Sequence, residues 1–107
     1  MDNPSSADAE KVIDSNFDRI FSVNDVADLL HCNYHTLREV FSREKGISMQ
    51  QYLYMLRCKY VKRYLRETNW KLFKIAVTTG FKDDRQMIRV FQKYTGITPE
   101  NYRKNNR

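Results

Sequence analysis

The chain has 107 residues, of which 41% are hydrophobic and 13% aromatic, with only three glycines and two prolines. That length fits one domain or two very small units, and the shortage of turn residues excludes a sandwich or barrel of many short strands. The formal charge of +6 is uneven: residues 1–56 carry a net −4 and residues 57–107 a net +10, so a polyanion suits the second half as a partner.

Start and stop signals divide the chain into seven helical segments, an all-α fold. The first follows Ser5-Ser6 and runs to about Asp18, with Val12, Ile13 and Phe17 at helical spacing. Ser22-Val23-Asn24-Asp25 opens the second, which reaches about His31 and has Val26, Ala27, Leu29 and Leu30 as its buried side. A tight connection at Cys32-Asn33 leads to the third, about Tyr34 to Lys45, with Leu37, Val40 and Phe41 inward and Gly46 as its stop. Ser48-Met49-Gln50-Gln51 is a capping box opening the fourth and longest, about Met49 to Glu67, along which Tyr52, Leu53, Leu56, Tyr60, Val61, Tyr64 and Leu65 recur every three or four residues. The fifth, about Trp70 to Thr79, turns Leu72, Phe73, Ile75 and Ala76 inward before Gly80. Asp83-Asp84-Arg85-Gln86 opens the sixth, which ends near Tyr94 and Gly96, and Thr98-Pro99 begins a last short helix.

An internal repeat runs through these segments. At an offset of 50, Val40, Phe41, Gly46, Ile47 and Tyr52 fall on Val90, Phe91, Gly96, Ile97 and Tyr102, each pair identical. Before the turn the offset is 49, pairing Val26-Ala27 with Ile75-Ala76, so the second copy has one extra residue in its turn. The matches fall on core and cap positions, as two copies of one helix-turn-helix unit require.

Such a unit fixes a short helix against a second helix whose outer face can enter the major groove of DNA, about 12 Å wide. In the later copy Arg85 and Arg89 stand four apart on one face, away from Met87, Val90 and Phe91, and arginine can pair bidentately with guanine. A merely solvated face, with Asp84 neutralising Arg85, is the alternative. In the earlier copy the matching positions are His35 and Glu39, with Tyr34 and Arg38 beside them. Glu39 could accept from a cytosine amino group or be an ordinary exposed acid.

Enzyme function is not expected, since no glycine-rich phosphate loop, metal-spaced histidine set or catalytic triad occurs in the sequence. Neither a cofactor nor a metal is expected: His31, Cys32 and His35 lack a fourth ligand at suitable spacing, and Cys32 reads as a small turn residue. Cys32 and Cys58 form no disulfide framework, the N-terminus lacks a signal-peptide pattern, and no apolar run spans a bilayer, so the expected location is the cytoplasm. Two other functions compete with DNA binding. One is a protein-interaction module using the tyrosine-rich fourth helix. The other is a membrane-surface helix presenting Arg57, Lys59, Lys62, Arg63 and Arg66.

The stretch from Ile75 through Gly80-Phe81 to Asp83, followed by Phe91-Gln92-Lys93-Tyr94-Thr95-Gly96-Ile97-Thr98-Pro99-Glu100-Asn101-Tyr102-Arg103, closely resembles the signature of AraC/XylS-type transcription regulators. The resemblance extends from about residue 10 to 103 and takes in Val26-Ala27, Phe41 and Gly46 as a first helix-turn-helix. It implies seven helices: a first helix-turn-helix subdomain over residues 7–47, a linking helix over 48–68 and a second subdomain over 69–107. It also implies sequence-specific binding of double-stranded DNA as the output domain of a bacterial regulator, with RNA polymerase as a further partner and a sensory or dimerisation domain in the full-length protein. Carried over by position, Tyr34, His35, Arg38 and Glu39 face DNA from the first recognition helix, and Asp84, Arg85, Ile88 and Arg89 from the second. Four positions depart from the family pattern: Met49 replaces a frequent proline, Val61 a small alanine, Met87 an aromatic residue and Ile88 a polar one.

Overall fold

In the computed structural model, residues 4–107 are described, and all of their regular structure is helical. The elements are α1 (Ser6–Asn16), α2 (Asn24–Leu29), α3 (Tyr34–Lys45), α4 (Met49–Glu67), α5 (Leu72–Thr78), α6 (Asp84–Thr95) and α7 (Pro99–Asn105). Two compact units divide the chain within α4, one up to Leu53 and the other from Tyr54 onward.

In the first unit α1, α2 and α3 pack on one another. Ala9, Ile13, Val26, Ala27, Leu37 and Phe41 are buried there, as are Met49 and Leu53 from the first turns of α4. Burying side chains of this size supplies roughly 1.5–3 kcal/mol each against the entropy of ordering the chain. α1 is tied down by polar contacts as well. Lys45 on α3 pairs with Glu10 at 2.6 Å, and the Ser6 amide donates to Glu44. The Tyr52 hydroxyl donates to Asp14 and lies 3.4 Å from Glu10; burial and these two carboxylates push its ionisation up.

The second unit closes around Cys58, Val61 and Leu65 of α4, Ile75 and Ala76 of α5, and Met87, Val90 and Phe91 of α6. Burial drives the Cys58 thiol up to about 11, in keeping with a packing role. α7 seals this unit: Tyr102 meets Phe91 edge-on at 5.7 Å, and Arg103 donates to the carbonyls of Leu65 and Thr68 at the end of α4. Those donations satisfy carbonyls that the helix end leaves without partners.

Three sequence expectations about burial are corrected. Leu29 and Phe73, expected inward, are 55% and 57% exposed, because α2 and α5 each have only six or seven residues and offer the core a single turn's width. Arg57, expected on a cationic outer face, is only 4% exposed, with its guanidinium 5.6 Å over the Phe81 ring. The departures Met49, Val61 and Met87 are accommodated, each at most 1% exposed.

Candidate nucleic-acid interface

The turns leading into α3 and α6 are built by nearly the same set of backbone hydrogen bonds. At the end of α2 the amides of Leu30 and Cys32 donate to Val26 and Ala27; at the end of α5 those of Thr79 and Phe81 donate to Ile75 and Ala76. The chain then reverses through a left-handed residue, His31 (φ 53°) in the first copy and Gly80 (φ 96°) in the second. Histidine visits this region more readily than most residues, although glycine does so without a steric cost. The extra residue of the second turn lies between Phe81 and Asp83, at Lys82.

Each recognition helix then starts on a side-chain cap. Asn33 accepts from the Thr36 amide at 3.1 Å and Asp83 from the Gln86 amide at 2.8 Å. Gln86 reaches back to the Lys82 amide rather than to that of Asp83, a capping box opened by one residue. Both helices stop at a left-handed glycine, Gly46 (φ 77°) and Gly96 (φ 78°). Ser48 and Thr98 then cap α4 and α7.

α6 divides sharply into two faces. Met87, Val90 and Phe91 are buried, while Arg85 and Arg89 are exposed and line an open groove with Lys82, Asp83 and Gln86. Among the described residues neither arginine forms an ion pair, so the alternative of an Arg85 neutralised by Asp84 is not seen. Asp84 and Ile88 are half-buried at the edges of this face.

On α3, His35, Arg38 and Glu39 are exposed and line a groove with Ser42 and Arg43. Tyr34 is half-buried, its ring edge-on to His35 at 5.6 Å, and with Arg38 it borders a second hollow shared with Ser48 and Gln50. The eight residues singled out in the sequence thus fall on one helix in each unit. Lys82, Ser42 and Arg43 join them and were missed. The helical spacing of Ser42 from His35 and Glu39, and the position of Lys82 as the inserted turn residue, were the available signals. Among the described residues no three histidine, cysteine or acidic side chains gather as a metal site.

Residues 26–105 match a family of helix-turn-helix domains. The chain belongs to the AraC-type helix-turn-helix family. It is 33% identical over 92 residues to the melibiose operon regulatory protein of Escherichia coli K12, covering 86% of this chain and 30% of that relative's length. The C-terminal domain of the response regulator yesN from Fusobacterium nucleatum is 32% identical, with a TM-score of 0.82 covering 89% of this chain and 93% of that one. The DNA-binding domain of AdpA has the same fold, with a TM-score of 0.85 at 20% identity over 94% and 90% of the two chains. Both α3 and α6 lie within the matched span.

Proposed function

We propose that this chain binds double-stranded DNA as the output domain of a bacterial transcription regulator, with α3 and α6 as its two readers. The observation that carries this is α6: a helix buried on one side by Met87, Val90 and Phe91 and presenting Arg85 and Arg89 unpaired on the other. That face suits a groove lined with phosphates and guanine edges. Arg85 and Arg89 are assigned to base edges, Lys82 to a phosphate and the half-buried Ile88 to a thymine methyl. On α3, Tyr34, His35 and Arg38 make the backbone and base contacts, with Glu39 accepting from cytosine. AdpA's domain, alike in fold, is known in complex with a target DNA.

The two readers enter successive major grooves, about 34 Å apart, without a second copy of the chain. The relatives' greater length accords with a sensory or dimerisation domain elsewhere in the full protein, and RNA polymerase is the second partner of such a regulator. The cytoplasm is the assigned location; among the described residues no helix is long and apolar enough to cross a membrane. No catalytic step is assigned. Selection of bound sites from random duplex DNA, followed by footprinting, tests this: two protected segments one helical turn apart are expected. One short segment would leave a single reader, and no binding would remove the proposal.

The central tyrosines favour packing over an alternative role as a partner surface. Tyr52 lies edge-on to Phe41, Tyr54 stacks on Phe81 and Tyr64 stacks on Trp70 at 4.9 Å.

A further inference from the structure

We propose that copies of this chain associate with one another, the corner between α1 and α2 of one copy receiving the outer face of α5 of another. The corner holds a hollow of about 400 Å³ lined by Asn16, Arg19, Ile20, Asp25, Asp28 and Leu29. Ile20 is buried, but Leu29 is 55% exposed and Phe21, the next residue along the chain, is 97% exposed. The Phe21 amide donates to the Asp25 carboxylate at 2.7 Å, which fixes this phenylalanine's backbone beside the hollow. Asp28 is exposed, and among the described residues its carboxylate has no partner. Phe21 and Leu29 thus leave apolar surface open next to an acid, a combination that suits a docking surface.

α5 offers the complementary chemistry. Phe73 and Val77, four residues apart on one face, are 57% and 43% exposed. Lys71 and Lys74 flank them, also exposed, and Lys74 is held over the Trp70 ring at 4.1 Å. The bulk charges agree: residues 1–53 carry a net −4 and residues 54–107 a net +10. A phenylalanine flanked by ammonium groups suits a hollow where Ile20 and Leu29 lie beside the Asp25 and Asp28 carboxylates and where the lining cation, Arg19, is paired with Asp18 at 3.8 Å, whereas α5 against α5 would set Lys71 and Lys74 against themselves. Because the two surfaces differ, each copy carries one receiving hollow and one inserting face. Both patches are small, so the contact is weak between free copies and strengthens where neighbours are held side by side. It uses neither α3 nor α6, and so does not depend on the proposed DNA contacts.

Sedimentation equilibrium of the folded chain alone at low salt, up to millimolar concentration, tests the contact. The expected result is association that weakens with added salt and disappears in Leu29→Glu and in Phe73→Glu. Both sites are exposed, so helical circular dichroism should be unchanged in each variant. The decisive arm mixes the two: L29E keeps an intact α5 face and F73E an intact hollow, so an equimolar mixture should form heterodimers that stop at two chains. A chain that stays monomeric throughout, association that survives either substitution, or a mixture that fails to pair would each overturn the proposal.

Discussion

Arg89 and Glu39 occupy the same position in the two copies and differ in sign, and this difference should divide the work between α6 and α3. Both are exposed on their helices. An arginine there attracts phosphate and can pair bidentately with guanine, while a glutamate only accepts and repels the backbone. Arg89→Ala should cost about 1–3 kcal/mol on the preferred site and relax specificity at one base pair. Glu39→Ala should cost less and tighten non-specific binding. Titrations of both variants at one fixed salt concentration check this; a larger loss for Glu39→Ala would make α3 the main reader.

At the scale of the element, helix ends decide the outcome. Gly46 and Gly96 end the two recognition helices at φ 77° and 78°, and a methyl group added at either would meet open space. The penalty for alanine is therefore backbone strain alone, about 1 kcal/mol at each site by thermal or urea unfolding. Asparagine, which tolerates the left-handed region, should cost less.

The tether of α1 to α3 is sensitive to acid. The Lys45 ammonium holds the Glu10 carboxyl below its ordinary value, and the Ser6 hydroxyl and amide do the same for Glu44. A lowered folded-state value stabilises above the ordinary carboxylate range, near about 4.3, and that contribution is lost as pH falls through the folded value. Amide shifts of α1 followed by NMR from pH 6 downward should move before those of α6. Lys45→Met should reduce that sensitivity, since it removes the first cause at Glu10.

Over the whole molecule, the excess of cations is the property with the broadest consequence. The net +10 of residues 54–107 predicts binding to duplex DNA that weakens steeply with salt, the logarithmic slope being about −0.9 per phosphate neutralised. Replacing Lys82, assigned to a phosphate, should reduce that slope by about 1 without changing site preference. A flat salt dependence would contradict an interface made by Lys82, Arg85 and Arg89.

Helix number, the caps at Ser48, Asp83 and Thr98, the glycine stops and the two-copy repeat were legible because each depends on residues a few positions apart, within reach of one another on a single helix. The separation of Arg85 and Arg89 from Met87, Val90 and Phe91 was legible for the same reason: a long, strongly amphipathic helix has only one way to bury its apolar side. Leu29, Phe73 and Arg57 were misplaced because their environments are set by neighbours distant in sequence. On the short helices α2 and α5, the packed partners select which part of the apolar surface is covered, and a buried arginine on α4 lies over the ring of a phenylalanine 24 residues further along the chain. The sequence alone therefore determined the elements, the repeat and the two faces of α6, which rest on local periodicity and capping. Only tertiary packing decided that His31 would bear the left-handed turn, that Arg57 would be buried, and that Phe21, Leu29, Phe73 and Val77 would be left facing outward.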